Sequence, residues 1–451
     1  MLLSNFKYKK HQQHLLQLPK IPQMLEDITI LYSPVDFYQS LMQAIRGAQQ
    51  RIYLVSLYLE QDQGGERVLK SLYAAKRKNP NLEIAILVDW HRAHRSRIGS
   101  NSDTNANWYC RMKQSHPGID IPIYGVPVNT REALGVLHLK GFIIDTKVIY
   151  SGASLNNVYL HQKDQYRYDR YQIIHNPLLA DTLLNYIKQY LLTSPAVNQL
   201  DNPARLKSRA IKKDTRLFRR TLREASYSYQ GEASATQLAI TPLVGLGKQN
   251  SLNKTIHHLL CSTRHTLILS TPYFNLPAPL MYDLIRLLSQ GKQLEIIVGD
   301  KTTNDFYIPE NKPFKIISTI PYLYEINLRY FVRRLQRYLD NGQLTVRLWQ
   351  DHHNTYHLKG LWIDNEWQLL TGSNFNLRAW RLDLENALLI HDPNQELHHS
   401  CKEELTLIRT NTSIIKHFTE LQRIAEYPVK VRKLIRRLRR IRIDRLISRI
   451  L

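Results

Sequence analysis

HLKGFIID (His138–Asp145) is repeated, nearly unchanged, as HLKGLWID (His357–Asp364). On a strand, residues two apart point from the same face, so each His–Lys pair, His138 with Lys140 and His357 with Lys359, faces one way. Asp145 and Asp364 fall on the opposite parity, where a carboxylate fixes backbone rather than touching a ligand. Each copy runs on into a small-residue turn and an Asn, Asn156 in SGASLNN and Asn376 in TGSNFN. A carboxylate then follows, Asp169 in YRYDRY and Glu385 in LDLENA. With 18 histidines in 451 residues a lone H-x-K match means little, but an eight-residue near-identity with the same downstream Asn and acid does not arise by chance. Burying a His and a Lys together is costly, because both lose hydration. An anion on that face would offset the cost.

The surrounding chain repeats as well. DITILYSP (27–34), RIYLVSLYLEQD (51–62) and LEIAILVDW (82–90) read as strands, separated by amphipathic helical stretches such as 36–50 and 65–80. LAITPLVG (238–245), HTLILSTPYF (265–274) and LEIIVGD (294–300) answer them in order, and LTVRLWQD (344–351) leads into the second His–Lys strand. Alternating strands and helices predict an α/β chain with sheets covered on both faces. The expected organisation is an N-terminal half at 1–191, a connection at 192–232, a C-terminal half at 233–410 and a basic tail at 411–451, with 301–340 lacking an evident counterpart.

Ligands of α/β sheets collect at the carboxyl ends of strands. That rule points to Ser56 and Leu57, to the loop bearing His91, Arg92, His94, Arg95 and Arg97, and to Arg131 and Glu132 just before the first motif. Cationic groups there are suited to phosphate. No run approaches the roughly 18 apolar residues of a membrane span, and the N-terminus lacks the apolar segment of a signal peptide. The expectation is a cytoplasmic chain. Cys110, Cys261 and Cys401 are isolated in sequence, which argues for a reducing compartment and against disulfides or a zinc site. The net charge of +24 demands a polyanionic partner. Ten Lys/Arg lie between Val429 and Leu451, including Lys430, Arg432, Lys433, Arg436, Arg437, Arg439 and Arg440. With Val431, Leu434, Ile435 and Leu438 near helical spacing they describe a basic amphipathic helix, suited first to an anionic membrane surface and second to RNA.

Two His–Lys–Asn sets facing each other would build one pocket with pseudo-two-fold symmetry. The lysines and asparagines would surround a phosphate, and the histidines would supply a nucleophile and a general acid. Asp169 and Glu385 would each hold one ring in its working tautomer. The chemistry requires no metal, and the carboxylate cluster of a magnesium site is not visible.

The doubled H-x-K-x4-D motif with its Gly/Ser–Asn turn resembles that of the phospholipase D superfamily. Ala153 stands where a Ser is usual in the first turn, and the second motif is one residue longer before Gly372. LVDWHRA, NTREALGVLH, GDKTTNDFYIP, RAWRLDLENA and the basic ending resemble the bacterial phosphatidylserine synthases of that superfamily. The resemblance implies two tandem α/β/α sandwich domains related by a pseudo-two-fold axis and a metal-independent, cofactor-free phosphatidyl transfer from CDP-diacylglycerol to L-serine. It also implies a phosphatidyl-histidine intermediate, with His138 as nucleophile and His357 as acid/base, although the symmetry of the motifs leaves their order open. Peripheral attachment at the inner face of the cell membrane, association with ribosomes and the first committed step towards phosphatidylethanolamine belong to the same implication. Hydrolase, cardiolipin-forming and nuclease relatives share the motif.

Overall fold

The computed structural model describes residues 2–95, 103–206 and 209–440. Arg97 and residues 441–451 of the tail lie outside them. Two sheets carry the fold, with strands in matching order. The first, of eight strands, runs Asn198–Gln199, Ile123–Val126, Glu83–Asp89, Arg51–Ser56, Phe142–Ile144, Lys147–Ser151, Tyr171–His175 and Ile28–Leu31. The second repeats this order with Thr412–Ile415, Leu344–Trp349, Gln293–Gly299, Thr266–Thr271, Gly360–Ile363, Trp367–Thr371, Leu384–His391 and Ala239–Leu246. In each, three parallel strands meet an antiparallel set. The parallel strands are continuous apolar runs, such as Ile84–Val88, because one face packs under helices and the other enters the core shared with the second half.

Two departures from sequence order matter. Ile21–Pro22 pairs antiparallel with Ala239–Leu246, and the helix Leu2–Leu16 packs on the helix Ser251–Cys261. The leader, counted with the first half by its position, therefore lies on the second. Residues 301–340, which showed no counterpart in sequence, contain the long helix Ile320–Asp340, which lies in the crossover between two parallel strands. The helix Asn105–Gln114 occupies that place in the first half.

A shared core joins the sheets. Val55, Leu87, Leu137, Tyr150 and Ile174 from the first half interleave with Ile240, Val244, Leu370, Leu388 and Ile390 from the second. Among the described residues no helix is long and apolar enough to cross a membrane.

Candidate active site

Each His is carried by a short strand that crosses to the other half. Leu137–His138 pairs parallel with Leu384–His391, with His138 opposite Glu385. Thr355–Tyr356 pairs parallel with Arg167–Tyr168, and the His357 amide donates to the Tyr168 carbonyl at 2.8 Å. The carboxylates are consequently exchanged. Glu385, in the second half, meets His138 Nδ1 at 2.8 Å, and Asp169, in the first half, lies 3.3 Å from His357 Nδ1. Sequence order suggested a carboxylate for each ring, and only the crossing strands show which serves which.

The lysines complete the centre. Lys359 Nζ donates to Asp169 Oδ2 at 2.9 Å and touches His357 Nδ1. Lys140 is fully buried, with the Ala153 carbonyl 3.5 Å from its Nζ. Gly152 and Gly372 occur in the turns because the opposite lysine lies over them. A Cβ on Gly152 would stand 2.6 Å from Lys359 Nζ, and one on Gly372 2.6 Å from Lys140 Cγ. Ala153 leaves this turn intact, since its amide bonds Ser151 Oγ as the Ser373 amide bonds Thr371 Oγ1. The extra residue of the second motif is absorbed at Asn365 (φ 56°), in the hairpin away from the histidines.

Asp145 and Asp364 hold backbone. Asp145 accepts from the amides of Gln49, Gln50 and Arg51, and Asp364 from those of Arg264, His265 and Thr266, all within 3.1 Å. Asn156 and Asn376 cap the turns that follow, accepting from the Tyr159 and Ala379 amides. Asn156 Nδ2 is engaged by Glu60 at 3.0 Å.

Of the residues at the strand ends, Arg92 and Arg95 line a cleft of about 380 Å³ with Tyr58, Glu60, Asp305, Ile317 and Arg167, and Arg167 lies over the Tyr159 ring whose hydroxyl meets His357. Glu132 pairs with both arginines, and Arg131 is exposed. His91 Nε2 is engaged by the Asn129 carbonyl, and His94 by the Trp90 carbonyl and indole, and neither lines that cleft. Ser56 is buried with its hydroxyl on the Tyr58 carbonyl, and the Leu57 carbonyl accepts from the Asp89 amide.

Several residues of the site carried no sequence signal of their own. Tyr159 places its hydroxyl 2.9 Å from His357 Nδ1. Asn386 clamps the Lys140 backbone through both ends of its amide, at 2.8 Å each. Arg167 lies over the Tyr159 ring and pairs with Asp305 at 2.7 Å. Asn386 and Arg167 adjoin quoted motif residues, which is the one hint available.

Electrostatically the site is built for an anion. Burial, reinforced by the lysines, holds both imidazoles well below their usual range. Burial also raises Glu385 to about 8 and, with the charge on Lys359, brings Lys140 down to about 7. A lysine lowered in this way is charged below that value and loses its charge as pH rises through it. We therefore expect kcat/KM, which reports the free enzyme, to fall on the alkaline side from about pH 7. A bound phosphodiester would favour the charged lysine, so kcat should hold to higher pH. Parallel profiles of the two parameters check this, and a kcat/KM that stays level into the ordinary lysine range would contradict it.

Comparison with known proteins agrees with this geometry. Residues 256–408 match the family described as cardiolipin synthase, PLD-like domain. The chain is 61% identical to the CDP-diacylglycerol–serine O-phosphatidyltransferase PssA of Escherichia coli over the full length of both. It is 46% identical to the enzyme of that name from Haemophilus influenzae over 99% of each. The crystal structure of phosphatidylserine synthase from Haemophilus influenzae superposes with a TM-score of 0.95 at 45% identity, covering 99% of this chain and 100% of the other. This chain belongs to the bacterial phosphatidylserine synthase family of phospholipase D-like proteins.

Proposed function

We propose that the chain transfers the phosphatidyl group of CDP-diacylglycerol to the hydroxyl of L-serine, releasing CMP through a phosphatidyl-histidine. The observation that carries this reading is the pair of buried imidazoles, each with a carboxylate from the other half, flanked by two buried lysines. In the first step a ring Nε2 attacks the phosphorus on the diacylglycerol side. The P–O bond to CMP breaks, and the other imidazole, which takes up a proton once the negative phosphodiester lies beside it, gives that proton to the leaving oxygen. In the second step the serine hydroxyl attacks that phosphorus, its proton passes to the second imidazole, and the N–P bond breaks. Lys140 and Lys359 stabilise the charge on the non-bridging oxygens.

Supporting His138 as the nucleophile is its Glu385 partner, whose Oε2 accepts a hydrogen bond from Nδ1–H and leaves the Nε2 lone pair free. His357 Nδ1 is instead shared among Tyr159 Oη, Lys359 Nζ and, at 3.3 Å, Asp169 Oδ2, so it lacks the single close carboxylate that orients His138. Incubation with labelled CDP-diacylglycerol tests the reading. CMP release with phosphatidylserine formed only when serine is present supports it, and phosphatidic acid as the main product with serine present would replace it with a hydrolase.

Serine is a zwitterion, and this cleft offers both complementary charges in the Arg167–Asp305 ion pair, with Glu60 nearby. Water presents neither charge. Asp305→Asn is expected to raise the KM for serine at least about tenfold, the loss of one charged contact. It should slow CMP exchange with CDP-diacylglycerol, which needs no serine, far less. Equal effects on both would remove Asp305 from the acceptor site.

The membrane reading rests on the helix Val429–Arg440. Val431 and Ile435 pack on Tyr322, Ile326 and Tyr427, so part of the apolar face expected to enter lipid is held by the protein. Lys430, Lys433, Arg436, Arg437 and Arg440 remain exposed, and Arg432 and Arg439 are half-buried. Ile316, 75% exposed, precedes the long helix against which this basic helix packs, and Ile317 lines the cleft that holds Arg92, Arg95 and Arg167. Basic side chains and projecting isoleucines at the mouth of a lipid-handling cleft suit an anionic bilayer. In this reading the protein is peripheral to the inner face of the cell membrane, ribosomal RNA is a second polyanion for the same tail, and the product feeds phosphatidylethanolamine synthesis.

A further inference from the structure

The helix Ser251–Cys261 carries His257 and Cys261 one turn apart, and the N-terminal helix lays His11 against them. Ligand atoms of these three side chains lie within 4.8 Å of one another. None of the three belongs to the His–Lys centres described above. We infer that His11, His257 and Cys261 form a structural binding site for a zinc-type divalent ion, which clasps the N-terminal helix to the second half.

The groups around these three are those a metal site needs. Asp283 Oδ2 lies 2.6 Å from His257 Nδ1 and is almost fully buried, so it fixes the tautomer that presents Nε2, as carboxylates do behind metal-bound histidines. Arg286 donates to Cys261 Sγ, which also lies 3.6 Å from Asp283 Oδ1, so the sulfur is held in place by a third helix. His11 Nδ1 is 3.0 Å from His258 Nδ1, an interaction that leaves His11 Nε2 for the ion. Cys261 Sγ is 3.6 and 3.8 Å from the two His257 nitrogens. Tetrahedral zinc holds its ligand atoms roughly 3.5 Å apart, and the sulfur now lies over the face of the His257 ring, so closing the site needs rotation of both the His257 and the half-exposed His11 rings. Two imidazoles and a thiolate with one open position select zinc or cobalt over magnesium or calcium. The cysteine, isolated in sequence, acquires its partners only through the packing of three helices.

Cobalt(II) titration of the chelator-stripped full chain tests this. Wild type is expected to take up one equivalent, with the near-ultraviolet thiolate-to-cobalt band and intense visible bands of a tetrahedral site, displaced by zinc. Cys261→Ser should abolish the thiolate band, whereas Cys401→Ser should keep it. His11→Ala, a change at a half-exposed position, should weaken cobalt binding at least about tenfold, the usual scale for a lost ligand or its support. Zinc should raise Tm for wild type and not for His11→Ala. Excess EDTA should reverse that rise while phosphatidyl transfer continues, which separates this site from the catalytic reading. A missing thiolate band, a band that survives Cys261→Ser, or equal zinc stabilisation of wild type and His11→Ala would each overturn the inference.

Discussion

Alanine at His138 is expected to abolish both phosphatidylserine formation and CMP exchange with CDP-diacylglycerol, because it removes the imidazole that Glu385 orients for attack. His357→Ala should cost at least about a thousand-fold in turnover, or about 4 kcal/mol of barrier, since a general acid–base and a tuned electrostatic contact disappear together. The exchanged carboxylates add a finer expectation. Glu385→Gln should act through His138 and Asp169→Asn through His357, although each lies in the same sequence half as the other histidine. Trapping the labelled phosphatidyl-enzyme and mapping the modified residue discriminates between the rings. Label on His357 would reverse the roles, and turnover near wild type in either alanine variant would remove that histidine from the chemistry.

The second large effect concerns the membrane. Each basic residue near an anionic surface contributes about 1 kcal/mol, a contribution that fades within a Debye length. Reversing Lys433, Arg436, Arg437 and Arg440 to Glu removes four such contributions. Partitioning onto phosphatidylglycerol-rich vesicles should fall by about three orders of magnitude at low salt. These four side chains are exposed, whereas Val431 and Ile435 are packed on the protein, so charge reversal is a cleaner test than deleting the tail. Turnover on detergent-dispersed substrate should be largely retained. Vesicle binding that is unchanged and insensitive to salt would refute the membrane role, and retained RNA binding by wild type alone would favour the second polyanion.

Much of this was legible in the residues themselves. The period-two placement of His138 with Lys140 and of His357 with Lys359, and the alternation of strands with helical stretches, follow from backbone geometry that is local to each segment. The anchoring role of Asp145 and Asp364 followed from parity alone, and both accept three consecutive amides. Continuous apolar runs such as Ile84–Val88 announced strands covered on both sides.

Contacts between segments distant in sequence were decided by the tertiary fold. Periodicity cannot show that Leu137–His138 leaves its own sheet to pair beside Glu385, because any strand edge offers the same hydrogen bonds and packing chooses among them. For the same reason the loop histidines His91 and His94 read as phosphate ligands until the Asn129 carbonyl and the Trp90 indole were found to occupy them. Tyr159, Arg167, Asp305 and Asn386 gain their places from chain crossings more than a hundred residues away in sequence. The sequence by itself determined that a His–Lys pair, an Asn and a carboxylate recur twice at matching spacings, since residue types and spacings are local properties. Only the packing of the two halves decided which carboxylate serves which imidazole, and where a neighbouring charge is buried deeply enough to matter.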